Sequence, residues 1–178
     1  MKATATIGEG AEPIESIEWL REFDRRYMKA WNSRSSAAVA ACTHPDVIWI
    51  DPALSEPARG SEAVAEFAAA SLAAFPDLTF EQAGAIAIAD DSRAAYIPWR
   101  MHGTNTGPID PPGFAATGRS IELSGFDVWQ FRDGSIWRYE AIYDFAEMGR
   151  QLGLMPPRGG ATERTMVAAQ RFRAKLPF

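Results

Sequence analysis

The feature that most constrains this chain is the run VIWIDP at residues 47–52. Four consecutive branched or aromatic side chains favour a β-strand, because such side chains suit a pleated, half-buried surface. Pro52 has no amide hydrogen to donate, so the strand is expected to end at Asp51. Side chains alternate along a strand, which places Val47, Trp49 and Asp51 on one face. A carboxylate on such an apolar face is costly unless it is paired, protonated or used for chemistry.

Length and composition predict one globular domain. The chain has 178 residues, of which 47% are apolar, enough to bury a core and too many for a disordered chain. The formal net charge of -5 argues against a nucleic-acid surface. No stretch approaches the roughly 20 apolar residues of a transmembrane helix, and residues 1–4 lack a signal-peptide core. We therefore expect a cytoplasmic protein that binds neither nucleic acid nor membrane.

The remaining pattern predicts helices first and then a sheet built from hairpins. Apolar residues from Ile14 to Trp31 recur at steps of three and four, as on one face of a helix that begins at Pro13 and carries Tyr27. Further helices are expected at residues 37–42, 62–74 and 145–152, and strands at residues 78–89, 93–102, 121–132 and 135–143. The fold class is therefore α+β: one curved, mostly antiparallel sheet folded over a few helices.

The chain divides into three expected segments. Residues 1–12 are predicted to be a flexible N-terminus, residues 13–156 the folded domain, and residues 157–178 a C-terminal extension with a helix. Within the domain, residues 103–118 are rich in Gly, Pro and Thr. They predict a long loop of the kind that often acts as a lid.

A second acidic residue, Asp127, lies within the strand expected at residues 121–132, and apolar residues share its face. Burial disfavours the ionised form of such a carboxyl and raises its pKa. If Asp51, Asp127 and Tyr27 face one interior, they form an aromatic-walled pocket that holds two carboxyls and a phenol. Carboxyls whose environments push their pKa values apart can divide into a base and a neutral hydrogen-bond donor.

Aromatic side chains near these groups are candidates for substrate contacts. His102 could add an acid or base if it points inward, and the sequence leaves open which face of its strand does so. The candidate substrate-binding residues are Trp49, Phe67, His102, Trp129, Tyr139 and Tyr143. Core or dimer packing is the simplest role for Trp49, Trp99, Trp129 and Tyr143, although a pocket for a polycyclic or aromatic ligand would use the same residue types. His44 and His102, without clustered Cys or carboxylates, give no metal-site pattern, and we expect no cofactor.

Short motifs in the second half of the chain resemble a known family. They are GTNTG at residues 103–107, ATGR at 116–119, DG at 133–134 and RQLG at 150–153. In these motifs the chain is similar to the SnoaL-like polyketide cyclases of the nuclear transport factor two-like superfamily. The resemblance spans roughly residues 15–156. It implies a cone-shaped α+β barrel around one deep pocket, and a homodimer.

A second resemblance within that superfamily concerns chemistry. The matching pieces are Tyr27, DP at residues 51–52, SEP at 55–57, Gly60, EF at 66–67, SL at 71–72, and FD at 126–127 with Phe131. They are similar to bacterial ketosteroid isomerases. This similarity implies that Asp51 is the base that moves a proton. It also implies that Tyr27 and Asp127 donate hydrogen bonds to the substrate carbonyl oxygen.

Two departures from these families keep other functions open. Ala68 stands where the isomerases have a supporting tyrosine, and Ala141 where the cyclases have an essential aspartate. One hypothesis is an enzyme that abstracts a proton alpha to a ketone of a small hydrophobic polyketide- or steroid-like substrate, for isomerisation or aldol cyclisation. The alternatives are a non-catalytic binding protein for a hydrophobic metabolite, and a structural module with a close-packed interior.

Each candidate catalytic group also has a purely structural alternative. Asp51 could be a turn aspartate bonded to nearby amides. Asp127 could be a structural acid paired with Arg100 or Arg138. Tyr27 could simply pack in the core with its hydroxyl satisfied.

Overall fold

The computed structural model describes residues 10–110 and 112–174. These residues form α1 (Ile17–Asn32), α2 (Ser36–Ala40), β1 (Thr43–Ile50), β2 (Ala58–Arg59), α3 (Ser61–Ala74), β3 (Thr79–Gln82), β4 (Ala87–Ile88), β5 (Ala95–Thr104), β6 (Ser120–Arg132), β7 (Ser135–Tyr143), α4 (Phe145–Gln151) and α5 (Ala161–Arg173). The predicted α+β class is confirmed. Of the predicted terminal segments, residues 1–9 and 175–178 lie outside the described residues.

The strands form one mixed, open sheet in the order β2-β1-β7-β6-β5-β3, with β4 also paired to β5. The hairpin neighbours are antiparallel, as predicted. The exception is the pair β1 and β7, which runs parallel with Ile50 opposite Glu140. A parallel pair needs a long crossover, and here the chain between the two strands contains α3 and the β3–β6 strands. The sheet is therefore less uniformly antiparallel than the sequence predicts.

Helix α1 packs on the inner face of the sheet. It begins at Ile17, four residues later than predicted, because Ser16 caps it by accepting a 3.1 Å hydrogen bond from the Trp19 amide. The preceding residue Ile14 is held instead by the Ser92 carbonyl. Phe23 on α1 makes edge-to-face contacts with the sheet aromatics Trp129 and Phe131.

The strand predicted at residues 78–89 is interrupted. Its two parts, β3 and β4, both pair with β5 but are separated at residues 83–86. Pro98 lies on β5 opposite this gap and has no amide hydrogen to donate, although its carbonyl accepts a hydrogen bond from the Ala83 amide. A proline on the partner strand thus splits the ladder.

A register shift lies in the β6–β7 hairpin between Gln130 and Phe131. Phe131 pairs with Ile136, which is completely buried. Trp137 is the extra residue, and it lies under the Arg132 guanidinium at 4.1 Å. Simple alternation along residues 135–143 would put Trp137 on the inner face beside Tyr139. The bulge interrupts that alternation, so Trp137 lies on the other face.

The C-terminal helix α5 forms at Ala161–Arg173, and none of its residues is buried. Met166, Val167 and Phe172 are exposed on it. In the part of the chain that the structure describes, no helix combines the length and apolar character needed to cross a membrane.

Candidate active site

A cavity of about 430 Å³ lies between α3 and the inner face of the sheet. Small side chains on α3, such as those of Ala63, Ala70 and Ala74, face it and leave the space unfilled. Aromatic side chains on its wall include Trp31, Phe67, Phe80, Trp99, Tyr139 and Tyr143. The volume and the apolar lining match a site for a small organic molecule.

Asp51 is a carboxylate on this wall. It follows β1 directly and is only 7% exposed. Its Oδ1 accepts a 2.8 Å hydrogen bond from the Tyr143 hydroxyl and another from the Ala53 amide. Burial, together with the negative charge of Asp51, holds the pKa of Tyr143 far above its usual value. Tyr143 therefore stays protonated and acts as a donor that fixes the carboxylate.

Asp127 lies on β6, one layer behind the wall, and is 2% exposed. Its Oδ1 accepts hydrogen bonds from Trp99 Nε1 at 2.6 Å and the Tyr139 hydroxyl at 2.9 Å, and its Oδ2 accepts one from Trp129 Nε1 at 3.3 Å. Burial raises the pKa of Asp127 to about 7, although these donors oppose the rise; the charge of Asp51 adds to it.

The partners of Asp127 are therefore two indoles and a phenol, not the arginines that the sequence suggested. Arg100 points to the outer face of the sheet, where it pairs with Glu81 and Glu122. Trp99 and Tyr139 line the cavity and so stand between Asp127 and the void.

Tyr27 is also placed behind the wall. It is buried on α1, with its ring 4.8 Å from that of Trp129. Its hydroxyl makes no hydrogen bond of normal geometry within the described residues. Burial and the charge of Asp127 raise the pKa of Tyr27 well above its usual value, and the nearby polar atoms of Trp31 and Tyr139 counter part of that rise. Of the three groups proposed to share a void, only Asp51 is on its wall.

The structure divides the six candidate substrate-binding residues. Phe67, Tyr139 and Tyr143 line the cavity. Trp49 is fully buried and stacks on Tyr139, with ring centroids 3.5 Å apart, so it supports the wall from behind. Trp129 is likewise fully buried, and its position is behind the wall with Asp127.

His102 is not part of this cavity. Burial alternates along β5 so that Trp99 points inward and His102 outward. The His102 Nε2 atom lies 2.6 Å from Thr79 Oγ1 in an exposed pair. The sequence left open which face of this strand points inward. In the structure, the face that carries His102 points outward.

Trp99 lines the cavity, although the sequence favours only a packing role for it. Gly125 lies opposite it on β6, and a Cβ at Gly125 would come within 2.7 Å of the indole. The absence of a side chain at Gly125 leaves room for the Trp99 indole, whose Nε1 donates to Asp127. A glycine inside an otherwise regular strand is the sequence feature that indicates such a close approach.

The predicted loop at residues 103–118 contributes Ile109 to the cavity wall. Its anchor is Asn105, which is completely buried. The Asn105 side chain donates to the Ala74 carbonyl at the end of α3 and accepts from the Thr117 amide. The loop is thus tied to α3 at its base.

The described residues contain no group of three or more His, Cys, Asp or Glu side chains arranged to hold a metal ion. The site contains a fixed carboxylate on the wall of an aromatic cavity, and a second, buried carboxyl that hydrogen-bonds two of the wall residues. Such an arrangement can accept a proton from a bound organic molecule.

Comparison with known proteins identifies similar folds. A family model described as the SnoaL-like domain matches residues 25–139. A search of the curated proteins found no match. Among solved structures, TsrD from Streptomyces laurentii is 20% identical with a TM-score of 0.67, over 80% of this chain and 100% of that one.

Two further solved structures have similar scores. A candidate SnoaL-like polyketide cyclase from Jannaschia sp. is 16% identical with a TM-score of 0.67, over 84% of this chain and 100% of that one. A Catenulispora acidiphila protein with a ketosteroid isomerase-like fold, in complex with trimethylamine, is 16% identical with a TM-score of 0.62, over 74% of this chain and 92% of that one. At these identities the likeness is one of fold.

Proposed function

The chain belongs to the SnoaL-like domain family, and from that premise we propose that it is a cofactor-independent acid–base enzyme. It would abstract a proton alpha to a ketone of a small hydrophobic substrate and stabilise the resulting enolate. The observation that carries the proposal is Asp51, a carboxylate with a fixed orientation on the wall of an otherwise largely apolar cavity. A general base must be able to reach the proton that it removes, and Asp51 meets the cavity directly.

In this proposal Asp51 takes the alpha proton. The electron pair of the broken C–H bond forms the carbon–carbon double bond of the enolate, and the π pair of the carbonyl group moves onto its oxygen. Returning the proton to the gamma carbon completes a double-bond isomerisation. Attack of the enolate carbon on a second carbonyl, whose oxygen then takes the proton back from Asp51, completes an aldol ring closure instead. The hydrogen bonds from Tyr143 and the Ala53 amide hold one oxygen of Asp51, so that its orientation is set before substrate arrives.

Asp127 and Tyr27 lie behind the cavity wall, so the effect that we propose for them on the oxyanion is indirect and acts through residues of the wall. Asp127 has a raised pKa of about 7, so near neutral pH a large share of it is protonated. A protonated Asp127 can donate to the Tyr139 oxygen, which frees the Tyr139 hydroxyl to donate to a substrate oxygen. Tyr27, buried behind the wall, would keep this region dry. Each donor to an oxyanion is worth on the order of 3 kcal/mol in known enzymes.

The test uses beta,gamma-unsaturated ketones of one to three rings and follows the absorbance of the conjugated product. Asp51→Asn preserves shape and should reduce turnover by about 10²–10⁴-fold, as expected for the loss of a general base. Asp46→Asn, an exposed substitution on β1, the strand that Asp51 follows, is the matched control and should leave turnover unchanged. Equal turnover by the wild type and Asp51→Asn would remove the assignment of the base.

A second candidate function is a non-catalytic binding protein for a hydrophobic metabolite. Ala141, on the cavity wall opposite Asp127, offers no functional group, and the two wall donors Trp99 and Tyr139 are already bonded to Asp127. Binding of several ketones with no turnover of any would favour this function. A purely structural module would need a filled interior, which the cavity argues against.

We propose that the protein acts as a homodimer in the cytoplasm. Tyr96, Phe126 and Ile142 are exposed on the outer faces of β5, β6 and β7, and the ring centroids of Tyr96 and Phe126 are 6.4 Å apart. Contiguous exposed apolar groups of this kind often mark a protein interface. Light scattering should give the mass of a dimer for the wild type and of a monomer for Phe126→Glu.

A further inference from the structure

The charged side chains on the cavity wall are all acidic. They are Asp51, Glu56, Glu66 and Asp110, and among the described residues no Lys, Arg or His lines the cavity. A site for a neutral ketone needs only one carboxylate of this set, the proposed base Asp51. The other three have no part in the proton transfer proposed above.

These three acids come from separate elements at the mouth of the cavity. Glu56 lies between β1 and β2, Glu66 on α3 and Asp110 in the loop at residues 103–118. All three are exposed although they contribute to the wall, which places them at the rim, whereas Asp51 is buried deeper. Within residues 10–110 and 112–174 none of the three makes a hydrogen bond or an ion pair. No residue in that part of the chain therefore pairs with their charges.

The rim charges favour a cationic group over a neutral or anionic one. Like charges that surround a cleft with apolar walls concentrate counter-ions there and repel ions of their own sign. Farther in, aromatic side chains such as Trp31, Phe67 and Trp99 line the cavity and suit an apolar body. A hydrophobic molecule with a protonated amine would match both the rim and the wall.

We propose that this cavity binds a hydrophobic molecule that carries a protonated amine. The amine lies at the rim among Glu56, Glu66 and Asp110, and the apolar body lies inward against the aromatic wall. This inference rests on the proposed function for one point, that the reacting ketone end of the substrate lies deepest, near Asp51. The selection of charge does not depend on that point.

The test measures binding by titration calorimetry at low ionic strength with three probes of one skeleton. They are 2-(1-naphthyl)ethylamine, its N-acetyl amide and 3-(1-naphthyl)propanoate, which are cationic, neutral and anionic. None is a ketone substrate, so the result is independent of turnover. We expect the amine to bind about tenfold more tightly than the amide, a difference that corresponds to about 1.4 kcal/mol, and the propanoate to bind most weakly. Added salt should narrow the difference because the rim charges are exposed to solvent.

The triple variant Glu56→Gln, Glu66→Gln, Asp110→Asn removes the rim charges while preserving side-chain size. It should bind the amide as the wild type does and lose most of the preference for the amine. Glu62→Gln, one turn before Glu66 on α3 but not among the residues that line the cavity, is the matched control and should keep that preference.

Three results would overturn the proposal: equal binding of amine and amide, a preference that persists in the triple variant, or no binding of the amine at millimolar concentration. Failure of the proposed function is seen separately, as unchanged turnover in Asp51→Asn with the charge preference intact.

Discussion

The hydroxyl of Tyr143 donates a 2.8 Å hydrogen bond to Asp51 Oδ1, and it thereby joins the end of β7 to the residue that follows β1. The two strands pair in parallel, so their carboxyl ends meet at the same edge of the sheet, beside the cavity. The parallel pairing thus explains why a tyrosine 92 positions later in the chain can orient this carboxylate.

Tyr143→Phe removes only the hydroxyl. Because the lost bond has a charge-bearing acceptor and is partly buried, we expect the free energy of unfolding to fall by about 1–2 kcal/mol. Urea unfolding measures this change. Ser55→Ala removes an exposed hydroxyl from the segment that follows Asp51 and serves as the control. Equal losses in the two variants would mean that the Tyr143 bond contributes nothing specific.

Asp127 should make stability depend on pH. The folded-state pKa is about 7, against an ordinary value of 3.8, so between these values the folded protein binds more protons than the unfolded chain. The contribution of Asp127 to the free energy of unfolding therefore falls as pH rises from about 4 to about 7 and is constant above that. The free energy of unfolding of Asp127→Asn minus that of the wild type should therefore be lowest at pH 4 and should rise towards pH 8.

Urea unfolding of both proteins at several pH values tests this dependence. Subtracting the two curves isolates Asp127 from Asp24, whose pKa burial also raises, to about 6. Asp90→Asn, an exposed substitution, controls for general charge effects. A difference curve that is flat between pH 4 and 8 would contradict a raised pKa for Asp127.

Filling the cavity should abolish binding without unfolding the protein. Ala70 faces the void from α3, and Ala70→Phe places a ring in space that is empty, so we expect naphthylethylamine binding to weaken more than tenfold, a loss of over 1.4 kcal/mol. The melting temperature should stay near that of the wild type, because no well-packed group is displaced. Ala69→Phe, exposed on the same helix, is the matched control. Undiminished binding to Ala70→Phe would place the ligand site elsewhere.

Local sequence patterns predicted most of the elements and the position of Asp51. The alternation at residues 47–52 and the stop at Pro52 are local properties, and so is the turn at Asp133-Gly134. The predicted faces of Asp51 and Asp127 follow from the same two-residue period. The order of the helices and strands predicted the α+β class, and the motifs predicted the family.

The remaining features depend on contacts between distant residues. The parallel pairing of β1 with β7, the bulge that moves Trp137 outward and the gap opposite Pro98 arise from partner strands that no local window contains. For the same reason the sequence does not show which face of β5 points inward. It therefore does not predict that Trp99, and not His102, lines the cavity.

The most direct measurement of the central claim is the exchange of alpha protons for deuterium in a bound ketone, followed by proton NMR in D₂O. Exchange requires only abstraction and return of a proton, so it applies whether the complete reaction is isomerisation or ring closure. We expect the wild type and His102→Ala to catalyse exchange at equal rates, and Asp51→Asn to be slower by about 10²–10⁴-fold. Exchange at the wild-type rate in Asp51→Asn would contradict the assignment of Asp51 as the base.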